Sequence, residues 1–193
     1  MTAPTGRRER KKAQTRQALA DAALRLFLER GFDEVGVREI AEAADVSLST
    51  LFKHFPSKEA LLFDQDEDME EGLVAAVRER ADGQSILDAL RDHLLDTRMA
   101  STDDLQASGF LQLIAETPAL QEYWRQMMLR HTSAVAAVIA EEAGLPIGDV
   151  KTVALAHFAL MSAGIVADSD DPAAAMRDIF ALLEHGWVGV AKT

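Results

Sequence analysis

Apolar residues recur at helical spacing along nearly the whole chain, and no run alternates with the period of two that a half-buried strand requires. The pattern predicts an all-α protein. In the first segment Leu19, Ala22, Ala23, Leu26 and Phe27 fall at i, i+3, i+4, i+7 and i+8, which is one stripe of a helix. Gly31 stands where a left-handed C-terminal cap ends it. A second, short helix carries Val37, Ile40, Ala41 and Ala44 at the same spacing, with Gly36 as its N-cap.

After a tight connection at Asp45 and Val46 comes a third short segment, SLSTLFKHF, opened by Ser47 as N-cap. Leu51 and Phe55, four apart, are expected to bury, while Leu48, Ser49, Thr50, Lys53 and His54 lie elsewhere on the helix. Pro56 and Ser57 stop this helix and cap the next, which the pattern runs from 58 to 80. Helix, short turn, helix, stop, helix is the plan of a small DNA-binding unit, and on pattern alone a generic helical hairpin competes with it. Longer helices follow over 85 to 99, 103 to 116, 118 to 143, 146 to 167 and 172 to 190. Each break between them holds Gly, Pro, Ser, Thr or Asp in a capping or stopping position.

Composition changes this picture little, but charge changes it a good deal. The 193 residues are 48% hydrophobic and 27% charged, ordinary for a globular chain, and contain no cysteine for a disulfide, thiolate or cysteine-held metal. A cytoplasmic home is the expectation by default, since no apolar segment follows the basic N-terminus as in a secretory signal. The net charge of −12 is divided by sign. Residues 1 to 60 hold eleven Lys/Arg against nine Asp/Glu, a net +2, and residues 61 to 193 hold nine against twenty-three, a net −14. The opening twenty residues alone carry +5, so one end suits a polyanion and the body does not.

A helix entering the major groove needs short or polar side chains near its N-terminus and an anchoring face behind. The segment from Ser47 to Phe55 meets both needs. Leu48 is an outward apolar side chain suited to a thymine methyl, Ser47, Ser49 and Thr50 offer hydroxyls to base edges or phosphates, and Lys53 and His54 are placed for phosphate. Lys58, in the first turn of the next helix, is placed to share a phosphate with that helix's amides.

The run from Thr15 to Leu62, TRQALADAALRLFLERGFDEVGVREIAEAADVSLSTLFKHFPSKEALL, resembles the DNA-binding domain of the TetR family of bacterial transcriptional regulators. The likeness rests on Thr15-Arg16, Ala22-Ala23 with Leu26-Phe27, Gly31-Phe32, Arg38-Glu39-Ile40-Ala41, Val46-Ser47, Thr50-Leu51-Phe52, His54-Phe55 and Ser57-Lys58-Glu59. It covers about a quarter of the chain. It implies a basic arm over 1–14, a three-helix helix-turn-helix DNA-binding domain over 15–62, and a larger helical ligand-binding and dimerisation domain over 63–193. It also implies a homodimeric, ligand-responsive repressor of a palindromic DNA operator, and adds Arg16, Arg38 and Phe52 to the DNA-facing set. Activation in place of repression stays open. Three positions depart from the family pattern: Gly36 replaces a threonine N-cap, Asp45 a turn glycine, and Phe52 a tyrosine whose hydroxyl meets a phosphate.

The basic start, with Arg7, Arg8, Arg10, Lys11 and Lys12, reads either as a solubilising tail or as an arm adding phosphate or minor-groove contacts. In the body, His93, Phe110, Tyr123, Trp124, Met127, Met128, His131 and His157 are candidate walls of an adaptable apolar cavity, each with plain core packing as its competitor. Such a cavity suits a small, mostly apolar effector bearing one polar or acidic group. By analogy with the family the last two helices pair two protomers. Their stripes are Phe158, Met161, Ser162 and Ile165 on one, and Met176, Ile179, Phe180, Leu183 and Trp187 on the other. An enzyme is the rival class, but no P-loop, HExxH, GxSxG or GxGxxG pattern occurs, and no catalytic residue, cofactor or metal is expected. A non-specific architectural DNA-binding protein is the other rival, opposed by the charge of the body.

Overall fold

The computed structural model of the chain describes residues 6–100, 104–166 and 169–186. Among these residues there are nine α-helices and no strand: α1 Arg7–Arg30, α2 Val37–Ala43, α3 Leu48–His54, α4 Asp66–Arg78, α5 Ile86–Ala100, α6 Asp104–Glu116, α7 Pro118–Ala143, α8 Val150–Ile165 and α9 Pro172–His185. A short 3-10 turn occupies Glu59–Leu61.

Three boundaries differ from the sequence pattern, each for a physical reason. α1 begins at Arg7, so the cationic cluster at 7 to 12 is helical from the outset. The segment RRERKKAQT holds good helix formers and no breaker, and the Glu9 carboxylate accepts a hydrogen bond from the otherwise free Gly6 N–H at 3.2 Å. The helix expected over 58 to 80 is broken. Asp64 gives its carbonyl to the Arg16 guanidinium at 2.6 Å, so it is engaged outside any local helix, and a regular helix resumes only at Asp66. The later helices lie close to expectation. α8 starts at Val150, later than its pattern, because Asp149 caps it by accepting from the Lys151 N–H at 2.9 Å.

The chain divides into two compact units. The first comprises the described parts of Met1–Asp66 and Asp103–Trp124, and the second those of Glu67–Thr102 and Arg125–Thr193. The unit carrying α1 to α3 therefore also takes in α6 and the opening turns of α7, which lie within the stretch 63–193 expected to form the regulatory body. Within this unit α6 packs on α1. Gly109 permits the approach: a Cβ there would lie 2.9 Å from the Cδ2 of Leu28.

The first unit is built around the α1 stripe. Leu19, Ala23 and Phe27 are fully buried, as are Ile40 and Ala41 of α2, Leu51 of α3, and Val35, Phe55 and Leu61 between helices. Each large side chain so buried contributes about 1.5–3 kcal/mol relative to exposure. The second unit has its own core. Leu73 and Val77 of α4, Leu90 of α5, Val135 and Ile139 of α7, Ala159 and Leu160 of α8, and Met176 and Phe180 of α9 form one buried cluster.

The candidate DNA-reading surface

The turn between α2 and α3 fixes where the reading helix points. α2 ends with the Val46 N–H bonded to the Ala41 carbonyl at 2.9 Å and the Asp45 N–H to the Glu42 carbonyl at 3.1 Å, the paired bonds of a Schellman cap. That cap needs a left-handed residue at its centre. Asp45 supplies it with φ at 53°, the single non-glycine of positive φ among the described residues. Asp tolerates this conformation better than most residues, which explains how it stands where the family pattern has glycine.

Ser47 then caps α3, its Oγ accepting from the Thr50 N–H at 3.2 Å. The same Oγ lies 2.9 Å from the Ser49 hydroxyl and 2.8 Å from that of Thr50, so three hydroxyls gather at the N-terminus of the helix. Leu51 is buried completely and anchors the helix from behind. Ser47, Ser49 and Lys53 are exposed, Phe52 is 49% exposed, and Leu48 and Thr50 are half-buried. On α2 Arg38 is exposed, while Glu39 pairs with Arg30 of α1 at 2.6 Å and fixes the start of α2 against the end of α1.

Two further expected DNA contacts, Arg16 and Lys58, have side-chain partners inside the unit. Arg16 donates from Nη1 to the His54 carbonyl at 3.0 Å and from Nη2 to the Asp64 carbonyl at 2.6 Å, with its guanidinium 4.5 Å from the centre of the Phe55 ring. Lys58 donates from Nζ to the Phe32 carbonyl and sits 4.1 Å over the Phe32 ring; burial pushes its ammonium below the ordinary lysine range. Both cations serve backbone carbonyls, that of His54 standing at the C-terminal end of α3. His54 is also changed in character. Burial first, then the charges of Lys12 and Arg16, holds its imidazole below the usual range, so it is neutral at pH 7 and not the cation expected of a phosphate contact.

The residues expected to line a cavity are shared between the two units. In the first, Phe110, Tyr123 and Trp124 surround Phe63, a residue that the sequence pattern did not single out because its importance is tertiary. Tyr123 stacks on Phe63 at 5.1 Å and 9°, Phe110 meets it edge-on at 5.8 Å and 77°, and Trp124 lies at 5.8 Å. In the second, Met127 and His131 of α7 are buried and Met128 is half-buried. α4 borders the histidines: Glu70 lies 4.0 Å from His131, and Gly72 leaves room for His93, since a Cβ there would meet the imidazole at 2.9 Å. Burial depresses the His93 imidazole and outweighs the opposing charge of Asp96. His157 departs from the expected set. It is exposed on α8 with its ring 5.9 Å from that of Phe158, and so lines no interior wall.

The stripes expected at a dimer surface also separate. Ser162, Met176 and Phe180 lie in the protomer's own core, where the Ser162 hydroxyl donates to the Ala159 carbonyl and touches the Met176 sulfur at 3.2 Å. They bury at home because α8 and α9 pack on each other within one chain. Met161, Ile179 and Leu183 are half-buried, and Trp187 lies outside the described residues. Phe158 and Ile165 remain outward at 56% and 70% exposure, joined by Val150 and Ile147 at 76% and 74%.

An all-helical chain whose first unit presents a capped, groove-sized helix through a helix-turn-helix is a DNA-binding transcriptional regulator. Residues 19–64 match the family model described as bacterial regulatory proteins, tetR family, and residues 84–190 match the MftR C-terminal domain. The chain belongs to the TetR family of transcriptional regulators. The HTH-type transcriptional regulator TcmR of Streptomyces glaucescens is 29% identical over 151 residues, covering 75% of this chain and 67% of that one. The HTH-type transcriptional regulator RutR of Escherichia coli K12 is 30% identical over 154 residues, covering 79% and 69%. Among solved structures, the TetR-family repressor FadR of Thermus thermophilus, in complex with lauroyl-CoA, is similar with a TM-score of 0.55 at 29% identity, covering 89% of this chain and 94% of that one. No helix among the described residues is long and apolar enough to cross a membrane.

Proposed function

We propose that the chain is a homodimeric repressor that reads a palindromic operator through α3 of each protomer and releases it when a small, mostly apolar effector binds the body. The observation that carries this is α3 itself. Leu51 and Phe55 hold it, and Ser47, Leu48, Ser49, Thr50, Phe52 and Lys53 cover its other side. One such helix spans too few base pairs for a unique site, and two related by a twofold axis read half-sites about 34 Å apart. The apolar row Ile147, Val150, Phe158 and Ile165, exposed on the lone chain, is the surface on which a second copy fits.

The cationic start of α1 belongs to the same reading. Arg7, Arg8, Arg10, Lys11 and Lys12 stand at the positive end of a helix dipole, an arrangement disfavoured by about 0.3–1 kcal/mol per charge near the terminus unless an anion is near. Phosphates beside the operator supply that anion. Arg38, exposed at the start of α2, faces the same backbone.

For the effector, Met127 and Met128 of α7, with His131 and His93 bordering α4, suit an apolar body with one polar or acidic group. FadR, in complex with lauroyl-CoA, is a family member whose ligand shares only the apolar part of this description, its acyl chain. Release requires the effector to favour the protomer geometry that does not fit two successive grooves, because a ligand binding both geometries equally shifts nothing.

Selection of bound duplexes from a random pool, followed by footprinting, tests the reading. A single inverted repeat with half-site centres one helical turn or a multiple of it apart is expected. Uniform protection of any duplex would instead make the protein architectural. A panel of acyl-chain acids and thioesters then tests release, with small sugars and inorganic cations as controls. Phe158→Glu together with Ile165→Glu is expected to yield monomers in sedimentation and to abolish protection of the repeat.

A further inference from the structure

Arg16 was expected to contact DNA, yet its geometry gives it a different task. Its partners among the described residues lie within the first unit and come from two places in the sequence, His54 with Phe55 and Asp64. Nη1 binds the carbonyl of His54, the last residue of α3, at 3.0 Å. Nη2 binds the carbonyl of Asp64 at 2.6 Å, and the guanidinium plane rests 4.5 Å from the Phe55 ring centre. Asp64 directly follows Phe63, the residue on which Tyr123 stacks and against which Phe110 and Trp124 pack. One planar side chain on α1 thus joins the C-terminal end of the reading helix to the aromatic junction made with α6 and α7.

We infer that Arg16 is a positioning residue: it sets the tilt of α3 by clasping the His54 and Asp64 carbonyls, and it ties that tilt to the ring cluster at Phe63. The chemistry requires arginine. Two carbonyls are satisfied at once by a guanidinium fork held over a ring, whereas a lysine ammonium is a single point donor without that planar fork. Lys58 provides no substitute, because its Nζ is engaged with the Phe32 carbonyl on another side of the unit. The clasp predicts an effect on recognition distinct from the loss of a positive charge. A tilted α3 misplaces Leu48, Ser49 and Thr50 against base edges while the phosphate attraction of the surface persists.

This inference rests on the proposed DNA reading, and the experiment separates the two. Operator duplex selected from a random pool and a scrambled duplex of equal length are titrated with wild type, Arg16→Lys and Arg16→Gln over a series of salt concentrations. Arg16→Lys, which keeps the charge, is expected to lose operator affinity by about tenfold or more, the cost of one or two misplaced base contacts. Affinity for scrambled DNA should stay within about twofold, with an unchanged salt slope. Arg16→Gln is expected to behave in the same way. With both tryptophans replaced by 5-fluorotryptophan, operator binding should move the fluorine resonance of Trp124 in the wild type and leave it unmoved in both variants.

Three results would overturn the inference. If Arg16→Lys binds like wild type while Arg16→Gln loses affinity for both duplexes and about 0.9 from the salt slope, Arg16 is a phosphate contact. If both variants bind the operator like wild type and only melt earlier, the clasp serves stability alone. If the wild type itself selects no sequence, the DNA reading fails and takes this inference with it.

Discussion

Replacing Phe63 measures how much of the first unit depends on its aromatic junction. The residue is 6% exposed, with rings at 5.1, 5.8 and 5.8 Å on Tyr123, Phe110 and Trp124. Phe63→Ala removes the ring and leaves a cavity, which costs about 3–5 kcal/mol. Phe63→Leu restores most of the volume but none of the ring geometry. Three aromatic pairs contribute about 0.5–1.5 kcal/mol each beyond the area they bury, and because the leucine recovers part of that in dispersion, a loss of about 1.5–3 kcal/mol is expected. Urea unfolding followed by fluorescence in a Trp187→Phe background isolates the signal of Trp124, the other of the two tryptophans. Phe63→Leu should lower the unfolding midpoint and shift the native emission of Trp124. A leucine variant within about 0.5 kcal/mol of wild type, the range of an ordinary surface change, would show that the rings merely adjoin Phe63.

Asp45 places a carboxylate on the turn that leads into α3 and holds a left-handed conformation at 53°. Asp45→Asn should tighten operator binding severalfold at low salt with stability unchanged, and Asp45→Gly should add about 0.5–1 kcal/mol of stability as well, read by thermal melting. Equal affinity for all three chains at low salt would remove that carboxylate from the electrostatic account. His54 supplies a pH dependence: its folded-state value is depressed, so the unfolded chain binds the proton first, at about pH 6.5. Stability is then complete above that pH and falls as the pH drops toward the folded-state value, with His93 acting in the same direction. His54→Gln should flatten part of the acid-side fall in urea midpoints, and an identical pH profile would contradict it. Changing Arg7, Arg8, Arg10, Lys11 and Lys12 to Gln should reduce the slope of log affinity against log salt by about 0.9 for each phosphate lost; an unaltered slope would exclude them from the interface.

What the chain disclosed in advance, and what it withheld, divides by the range of the interaction. The stripe from Leu19 to Phe27, the tight connection at Asp45 and the Ser47 cap all follow from neighbours within a few residues, and periodicity together with capping residues carried them. The break before α4 was hidden, since KEALLFD reads as continuous helix. The group that claims the Asp64 carbonyl is Arg16, 48 positions away. The same limit governs the apolar stripes of α8 and α9. Spacing identifies Ser162, Met176 and Phe180 as a packing face but gives no means of telling a protomer's own core from a partner's surface. The outward position of His157 is equally invisible to periodicity, because it lies only one residue from Phe158 and shares its exposed edge.

The helical start of α1 bears on how much DNA the protein needs. A loose tail could gather its cations onto whatever phosphates lie nearest, but residues in a continuous helix of 24 residues are held at fixed spacings. Arg7 stands about 7.5 Å along the axis from Lys12, a little over the rise of two base pairs. On the proposed reading, phosphates are then required at set places outside the base-read sequence, whatever bases they carry. A duplex trimmed to the inverted repeat alone would bind more weakly than the same repeat with arbitrary flanks, and the length of an operator would exceed the length of its consensus.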